Sequence, residues 1–557
     1  MDLRFVCEKN AVEISWIKGQ INGTIPPYVH GDLYRNGGGM YEVGNYTYNH
    51  LFDGLAMIQH FRIAPDEVKY QRKYLQSDTH QKVTTAKAPV VGEFGTAAIP
   101  DPCKNIFKRF LTYFSARDMT DNTSVNIIPF NNKLFAVTET KYWNQIDPET
   151  LDRIEKLDLK ELTTVDLATA HAHIDTDGTV YNVGHVFTKG LPTVVTRMPR
   201  KADLQAVGSK LDATQNVVAL VPSSYWTHVH YFHSFGMTEN YIIIIQQPLL
   251  MDIKTAALGY SAADALKFHP DMKTRFCMIH KQTGEQLNKH MVYEADGFLT
   301  FHTANAYEEN GNIVMDLVWH KDAGIIDAFY LKNLSSEKVE ETFKKIDNSV
   351  LKRLVFPINL SGQIVRMRYF IVEHLNHFSA LCVVFFSQPK NDESSSSVPF
   401  HVSLKDGKVY CKAETICDVG LEFPQWNYAG YNGRKYRYVY GVGIHKGDRM
   451  NTSVMKINVD NKTYEEWREA GCYVSEPVFI ADPRGTAEDH GVLLVAVNKV
   501  HMDDSRSCFL LVLDATNMTS LAKVKFEGLD DFPRDFHGLF KSEIGKPNEL
   551  YDEVMRV

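Results

Sequence analysis

Imidazoles are the side chains in this sequence most suited to shared chemistry. His171 lies in Thr-Ala-His-Ala-His, His233 in Tyr-Phe-His-Ser-Phe-Gly, His302 in Thr-Phe-His-Thr-Ala-Asn and His537 in Asp-Phe-His-Gly-Leu-Phe. Each closes an apolar or β-prone run and adjoins small or turn-forming residues, a place from which a scaffold can aim a rigid side chain at a common centre. Neutral imidazole suits iron, zinc, copper and nickel, and four of them without a carboxylate make a nitrogen-only donor set. The chain holds 22 histidines, so spacing alone does not select these four. Read singly, each is an ordinary core or surface histidine.

The elements that must position such residues are mostly strands. Thr179–Gly184, Tyr241–Gln246, Asn312–Trp319, Ala380–Phe386, Tyr436–Gly443, Gly491–Val497 and Phe509–Leu513 are rich in Val, Ile, Tyr and Phe. Asp406-Gly407 and Asp460-Asn461 sit between paired strand runs as hairpin turns. Amphipathic helix patterns are few: Pro102–Phe114, Ala262–Phe268 and Ser336–Ile346. Evenly spread strands over 557 residues predict an all-β chain, and a radial array of sheets protects strand edges by repetition. No Pro- or Gly-rich linker divides it, so residues 1–557 read as a single domain.

Composition narrows the partners. A net charge of −8 and a pI near 6.3 argue against nucleic acid, which needs clustered positive charge. The eight cysteines form no CxxC pair, so neither a zinc ribbon nor a thioredoxin-type site is indicated. The first residues lack the apolar core of a signal peptide, and the aliphatic run Tyr241–Ile245 is far too short to span a membrane. The expectation is a protein on the cytoplasmic side, soluble or peripherally attached to membrane.

Several ordered motifs carry a family resemblance. They include Gly31-Asp-Leu-Tyr-Arg-Asn-Gly37, Phe52-Asp-Gly54, Glu93-Phe-Gly-Thr96, Pro100-Asp-Pro-Cys-Lys-Asn-Ile-Phe107 and Thr138-Glu-Thr140. Glu422-Phe-Pro-Gln425, Ser475-Glu-Pro477 and Phe536-His-Gly-Leu-Phe540 continue the series. Together they resemble the animal branch of the carotenoid cleavage oxygenases, which includes the β-carotene oxygenases and the retinal pigment epithelium retinoid isomerohydrolase. Two positions depart from the family pattern: Gly38 and Ala172 each replace a proline. The second leaves His173 as a rival to His171.

The resemblance implies a seven-bladed β-propeller with a small helical and loop cap over an axial Fe(II) held by His171, His233, His302 and His537. Gaps of 62, 69 and 235 residues between these histidines suit a ring of blades rather than one helix. It also implies that Glu139, Glu422 and Glu476 hold the outer imidazole nitrogens, and that Phe61, Phe94 and Thr138 line a substrate tunnel. The implied reaction is cleavage of a carotenoid or apocarotenoid double bond by dioxygen. The alternatives are isomerohydrolysis of a retinyl ester, and a non-catalytic carotenoid-binding protein.

The segment Pro102–Arg117 is basic and aromatic. Ile106, Phe107, Phe110, Leu111 and Phe114 would meet a membrane surface, because polyenes dissolve in membranes. The competing reading is a surface helix packed on its own domain. Cys103 beside it is a candidate for acylation, with a plain thiol as the other reading.

Overall fold

The β-branched and aromatic runs form strands in a computed structural model, which describes residues 10–103, 119–188, 190–198, 216–335, 337–360, 383–384, 402–405, 407–445 and 448–543. Tyr241–Gln246 and Asn312–Trp319 occur with the expected bounds, while the other runs appear as Val180–His185, Tyr438–His445, Gly491–Val500 and Arg506–Asp514. Of Ala380–Phe386, the described residues include the strand Val383–Val384. Both hairpins are present: Val402–Lys405 pairs with Lys408–Cys411, and Asp448–Asn458 with Thr463–Trp467.

Two helix expectations are corrected in part. Helix Ala262–Ala265 is fixed by a reciprocal cap between Ser261 and Asp264, but Leu266–Phe268 is a strand. Its backbone pairs with Leu249–Met251, and that ladder prevails over the local helical pattern. Within Ser336–Ile346 the helix is Val339–Lys344. Most of Pro102–Phe114 lies outside the described residues.

The strands are mostly antiparallel, and they do not separate into seven independent blades among the described residues. Ile14–Gly23 explains one fusion, because it pairs with Val68–Tyr74 on one side and Ser520–Phe526 on the other. Another comes from Val292–Ala295, which runs parallel to Lys408–Cys411. The two ends of the chain are knitted together where Gly31–Met40 pairs with His537–Ser542, in the register Asn36 opposite His537.

Apolar side chains between the sheets supply the core. Leu33, Phe61, Tyr70, Leu494, Leu510 and Val524 are all fully excluded from water in one cluster. Ile253, Ala262, Ile325 and Phe343, from the short helices Ile253–Ala257, Ala262–Ala265, Gly324–Ala328 and Val339–Lys344, reach the wall of a large cavity.

Candidate metal centre

The four motif histidines converge. Each lies at, or up to three residues before, the start of a terminal strand of its sheet: His173–Ile174, Gly236–Met237, Thr303–Glu309 and His537–Ser542. One ring nitrogen from each of His171, His233, His302 and His537 lies within 4.8 Å of the others. The Nε2 atoms of His171 and His233 are 2.9 Å apart, and those of His302 and His537 are 3.3 Å apart.

Three of these rings are oriented from behind by carboxylates. His233 Nδ1 bonds to Glu139 Oε1, His302 Nδ1 to Glu422 Oε2 at 2.7 Å, and His537 Nδ1 to Glu476 Oε1 at 2.8 Å. Each carboxylate accepts the Nδ1 proton, which leaves Nε2 as a lone pair directed inward in the neutral ring. Two such lone pairs facing each other at 3.3 Å repel unless a cation lies between them. A metal about 2.1 Å from each nitrogen places neighbouring ligands about 3 Å apart and opposite ones about 4.2 Å apart. The observed spacings fit that arrangement.

Burial acts in the same direction. It pushes the proton affinity of His302 down to about 4 despite the opposing pull of Glu422. His171 is pushed well below the ordinary imidazole range, first by burial and then by the neighbouring histidines. Burial would raise the Glu422 carboxyl, but His302 and His320 outweigh it and hold the group below its usual range. Burial therefore favours the neutral form of His171 and of His302, the latter backed by Glu422.

A local distortion aims two of those carboxylates. In strand Glu414–Gln425 the register shifts between Glu422 and Gln425, and Phe423 takes a left-handed φ of 54°. This bulge turns Glu422 to His302 and lets Gln425 Nε2 donate to Glu476 Oε1 at 2.7 Å. Glu476 also accepts from the Gly538 backbone N–H at 3.0 Å. Glu139 accepts from the Tyr231 hydroxyl at 2.9 Å.

His173 is not part of the cluster. Its Nδ1 bonds to the Tyr428 hydroxyl at 3.0 Å and its Nε2 to the Phe235 carbonyl at 3.1 Å, so both ring nitrogens are engaged elsewhere. That geometry favours His171 over its neighbour.

The cluster separates two cavities. A large one of about 660 Å³ is lined by His233, His302 and His537 and, farther out, by Phe52, Phe301, Phe329, Phe423 and Phe536. A smaller one of about 210 Å³ lies on the side of His171 and His173. Phe94 and Thr138 line the large cavity, with the Phe94 ring 5.3 Å from that of Phe52. Phe61 does not line it. The ring packs between sheets, 4.7 Å from Tyr70 and 5.2 Å from Phe532, so its tunnel assignment is corrected to core.

The other expected residues fall at the periphery. Cys103 is exposed and its thiol is free. Ile106, Phe107, Phe110, Leu111 and Phe114 lie outside the described residues. Among the described residues, no helix is long and apolar enough to cross a membrane.

Sequence reasoning missed His320, whose Nε2 bonds to Glu422 Oε1 at 2.5 Å at the cavity wall. It also missed Tyr231 behind Glu139. Nothing in Val-Trp-His-Lys distinguishes His320 from the remaining histidines, because its partner lies 102 residues away.

Comparison with known proteins places the chain in a family. The family described as Retinal pigment epithelial membrane protein matches residues 7–542. The mitochondrial carotenoid-cleaving dioxygenase of Mustela putorius furo is 36% identical over 545 residues, covering 94% of this chain and 93% of that protein. The beta,beta-carotene 15,15'-dioxygenase of Homo sapiens is 35% identical over 537 residues, covering 95% and 92%. The crystal structure of cobalt-substituted Synechocystis apocarotenoid oxygenase shares the fold, with a TM-score of 0.70 at 21% identity over 95% of this chain and 96% of that one. With its histidine motifs in order and its matches running nearly end to end, the chain belongs to the retinal pigment epithelial membrane protein family of carotenoid cleavage oxygenases.

Proposed function

We propose that this protein is an Fe(II)-dependent dioxygenase that cleaves a carbon–carbon double bond of a carotenoid or apocarotenoid, on a seven-bladed propeller. The observation that carries this reading is the four-imidazole cluster, backed by three carboxylates, at the wall of an aromatic cavity of about 660 Å³. His171, His233, His302 and His537 would hold the iron, with Glu139, Glu422 and Glu476 fixing the rings. Bound Fe(II) would supply the activation of dioxygen beside the alkene. The overall change balances as one alkene and one O₂ giving two carbonyl products.

The chain's own residues supply register and dryness. A polyene has almost no hydrogen-bonding groups, so a wall of Phe52, Phe94, Phe301, Phe329 and Phe536 selects by shape. Thr138, next to Glu139, lies on the same wall. The isomerohydrolase alternative is not favoured, since the matched relatives are named dioxygenases. A non-catalytic binding protein would have no need of all four histidines.

The mouth of the cavity supports attachment to a membrane surface. Phe187 and Tyr260 line the cavity yet are 37% and 60% exposed, and Trp226 and Leu258 nearby are 87% and 75% exposed. The Ile253 N–H donates to the Thr227 carbonyl, which places Trp226 beside the helix Ile253–Ala257. Such a patch would take an apolar substrate from lipid on the cytoplasmic side.

The test is product analysis of iron-loaded protein with β-carotene or zeaxanthin in detergent, with and without oxygen. Oxygen-dependent aldehydes are expected, and their chain lengths name the cleaved bond. Recovery of intact carotenoid despite bound iron would overturn the reading.

A further inference from the structure

Each carboxylate behind the cluster serves a second donor, and the donors differ in kind. Glu139 accepts from the Tyr231 hydroxyl, and Glu476 from the Gln425 amide and the Gly538 backbone. Glu422 alone is shared between two imidazoles. Its Oε2 faces His302 Nδ1 at 2.7 Å and the Phe423 N–H at 3.1 Å, while its Oε1 faces His320 Nε2 at 2.5 Å.

His320 is built into this position. It follows the strand Asn312–Trp319, and its backbone bonds in both directions with Leu299. Its side chain is 6% exposed, its ring stands edge-on to Phe301 at 5.6 Å, and it lines the large cavity. An imidazole held so rigidly is a committed donor to the carboxylate.

We propose that His320 is a positioning residue that sets how strongly His302 donates to the metal, by drawing part of the Glu422 charge away from the His302 ring. This rests on the iron reading above. A carboxylate that accepts a strong second hydrogen bond polarises its first partner less. Without His320, only the Phe423 N–H shares Glu422 with His302, so more of the charge falls on His302 Nδ1–H and the ring becomes more imidazolate-like. A more electron-rich ligand favours Fe(III) over Fe(II). His320 therefore helps to keep iron in the ferrous form, and it does so from the substrate's side of the site.

The experiment uses full-length, iron-loaded protein and two variants. His320→Leu removes the donor, whereas His320→Gln retains an amide N–H. The midpoint potential of the one-electron Fe(III)/Fe(II) couple is measured with mediator dyes, and the ferric fraction is read by electron paramagnetic resonance. His320→Leu is expected to shift the equilibrium toward Fe(III) by about tenfold, about 59 mV lower, with His320→Gln lying between it and the parent. His320→Met, which also lacks the donor, replaces the leucine variant if that one does not fold. A donor-free variant that binds iron at the parent potential would overturn the inference, as would equal shifts in the glutamine and donor-free variants. Failure of the parent protein to bind iron would instead sink the iron reading itself.

Discussion

Arg35 and Asp535, 500 residues apart in sequence, form a two-pronged ion pair with Nε–Oδ2 at 2.7 Å and Nη2–Oδ1 at 2.9 Å. The Arg35 side chain is completely excluded from water, and its Nη1 donates to the Glu476 backbone carbonyl at 2.9 Å. Gln59 also reaches the pair, with its amide 3.4 Å from Asp535 Oδ2. One fixed guanidinium thus holds the loop before His537 and the backbone of the glutamate behind it.

Breaking this pair from one side leaves the buried Arg35 with only the more distant Glu476 carboxylate, at 3.8 Å. Asp535→Asn is expected to cost about 3–5 kcal/mol in denaturant unfolding, and to lower iron occupancy by displacing Glu476 and His537. A loss below about 1 kcal/mol would show that water or another group compensates the arginine.

The four histidines and their neighbour should separate cleanly in metal analysis. Alanine at His171, His233, His302 or His537 should abolish stoichiometric iron. His173→Ala should retain iron while losing about 1–3 kcal/mol of stability, because the Tyr428 hydroxyl and the Phe235 carbonyl lose a partner. Glu139→Gln should weaken iron affinity about 10–100-fold with little change in the unfolding midpoint. Iron content equal to the parent in folded Glu139→Gln, under competition with a chelator, would refute a role for that carboxylate.

Acid should destabilise the metal-free protein early. Burial lowers His50, His173, His185 and His302 to about 4. In the unfolded chain these rings take up protons near pH 6.5. Between those values the unfolded state binds more protons, so stability falls as pH drops from about 6.5 to about 4. Glu422 acts below that window, because burial opposes its charge but His302 and His320 hold it ionised in the fold. Its contribution is present above the ordinary carboxyl range and is lost as pH falls through its lowered folded value. Thermal midpoints measured from pH 7.5 to 4.5 should decline steadily, and a flat profile would contradict the burial of these rings.

The exposed aromatic rim should govern attachment to lipid. Trp226→Glu and Leu258→Glu are each expected to reduce co-sedimentation with phosphatidylcholine vesicles several-fold while leaving cleavage in detergent intact. Unchanged sedimentation would move the contact surface elsewhere on the molecule.

Much of the centre was legible because its histidines and the carboxylates behind them sit in short, distinctive strings such as Asp-Phe-His-Gly and Glu-Phe-Pro-Gln. Phe61 shows the limit. The strand Leu55–Ile63 is buried along nearly its whole length, so alternation does not tell a core face from a cavity face. Phe52, just before that strand, reaches the cavity instead. Leu266–Phe268 looked helical from its neighbours, yet its backbone partners lay in Leu249–Asp252, which local pattern does not report. His320 and Tyr231 act through carboxylates 102 and 92 residues away, and that proximity exists only after folding.

His537 opens the strand that pairs with Gly31–Met40, so one of the four donors belongs to the segment that joins the two ends of the chain. A growing polypeptide emerging from a ribosome can present His171, His233 and His302 long before His537 exists. The fourth donor therefore joins the cluster only once His537 has been made and its strand has paired with Gly31–Met40. A metal held by all four imidazoles would enter late in maturation, and it would act as a rivet across the seam.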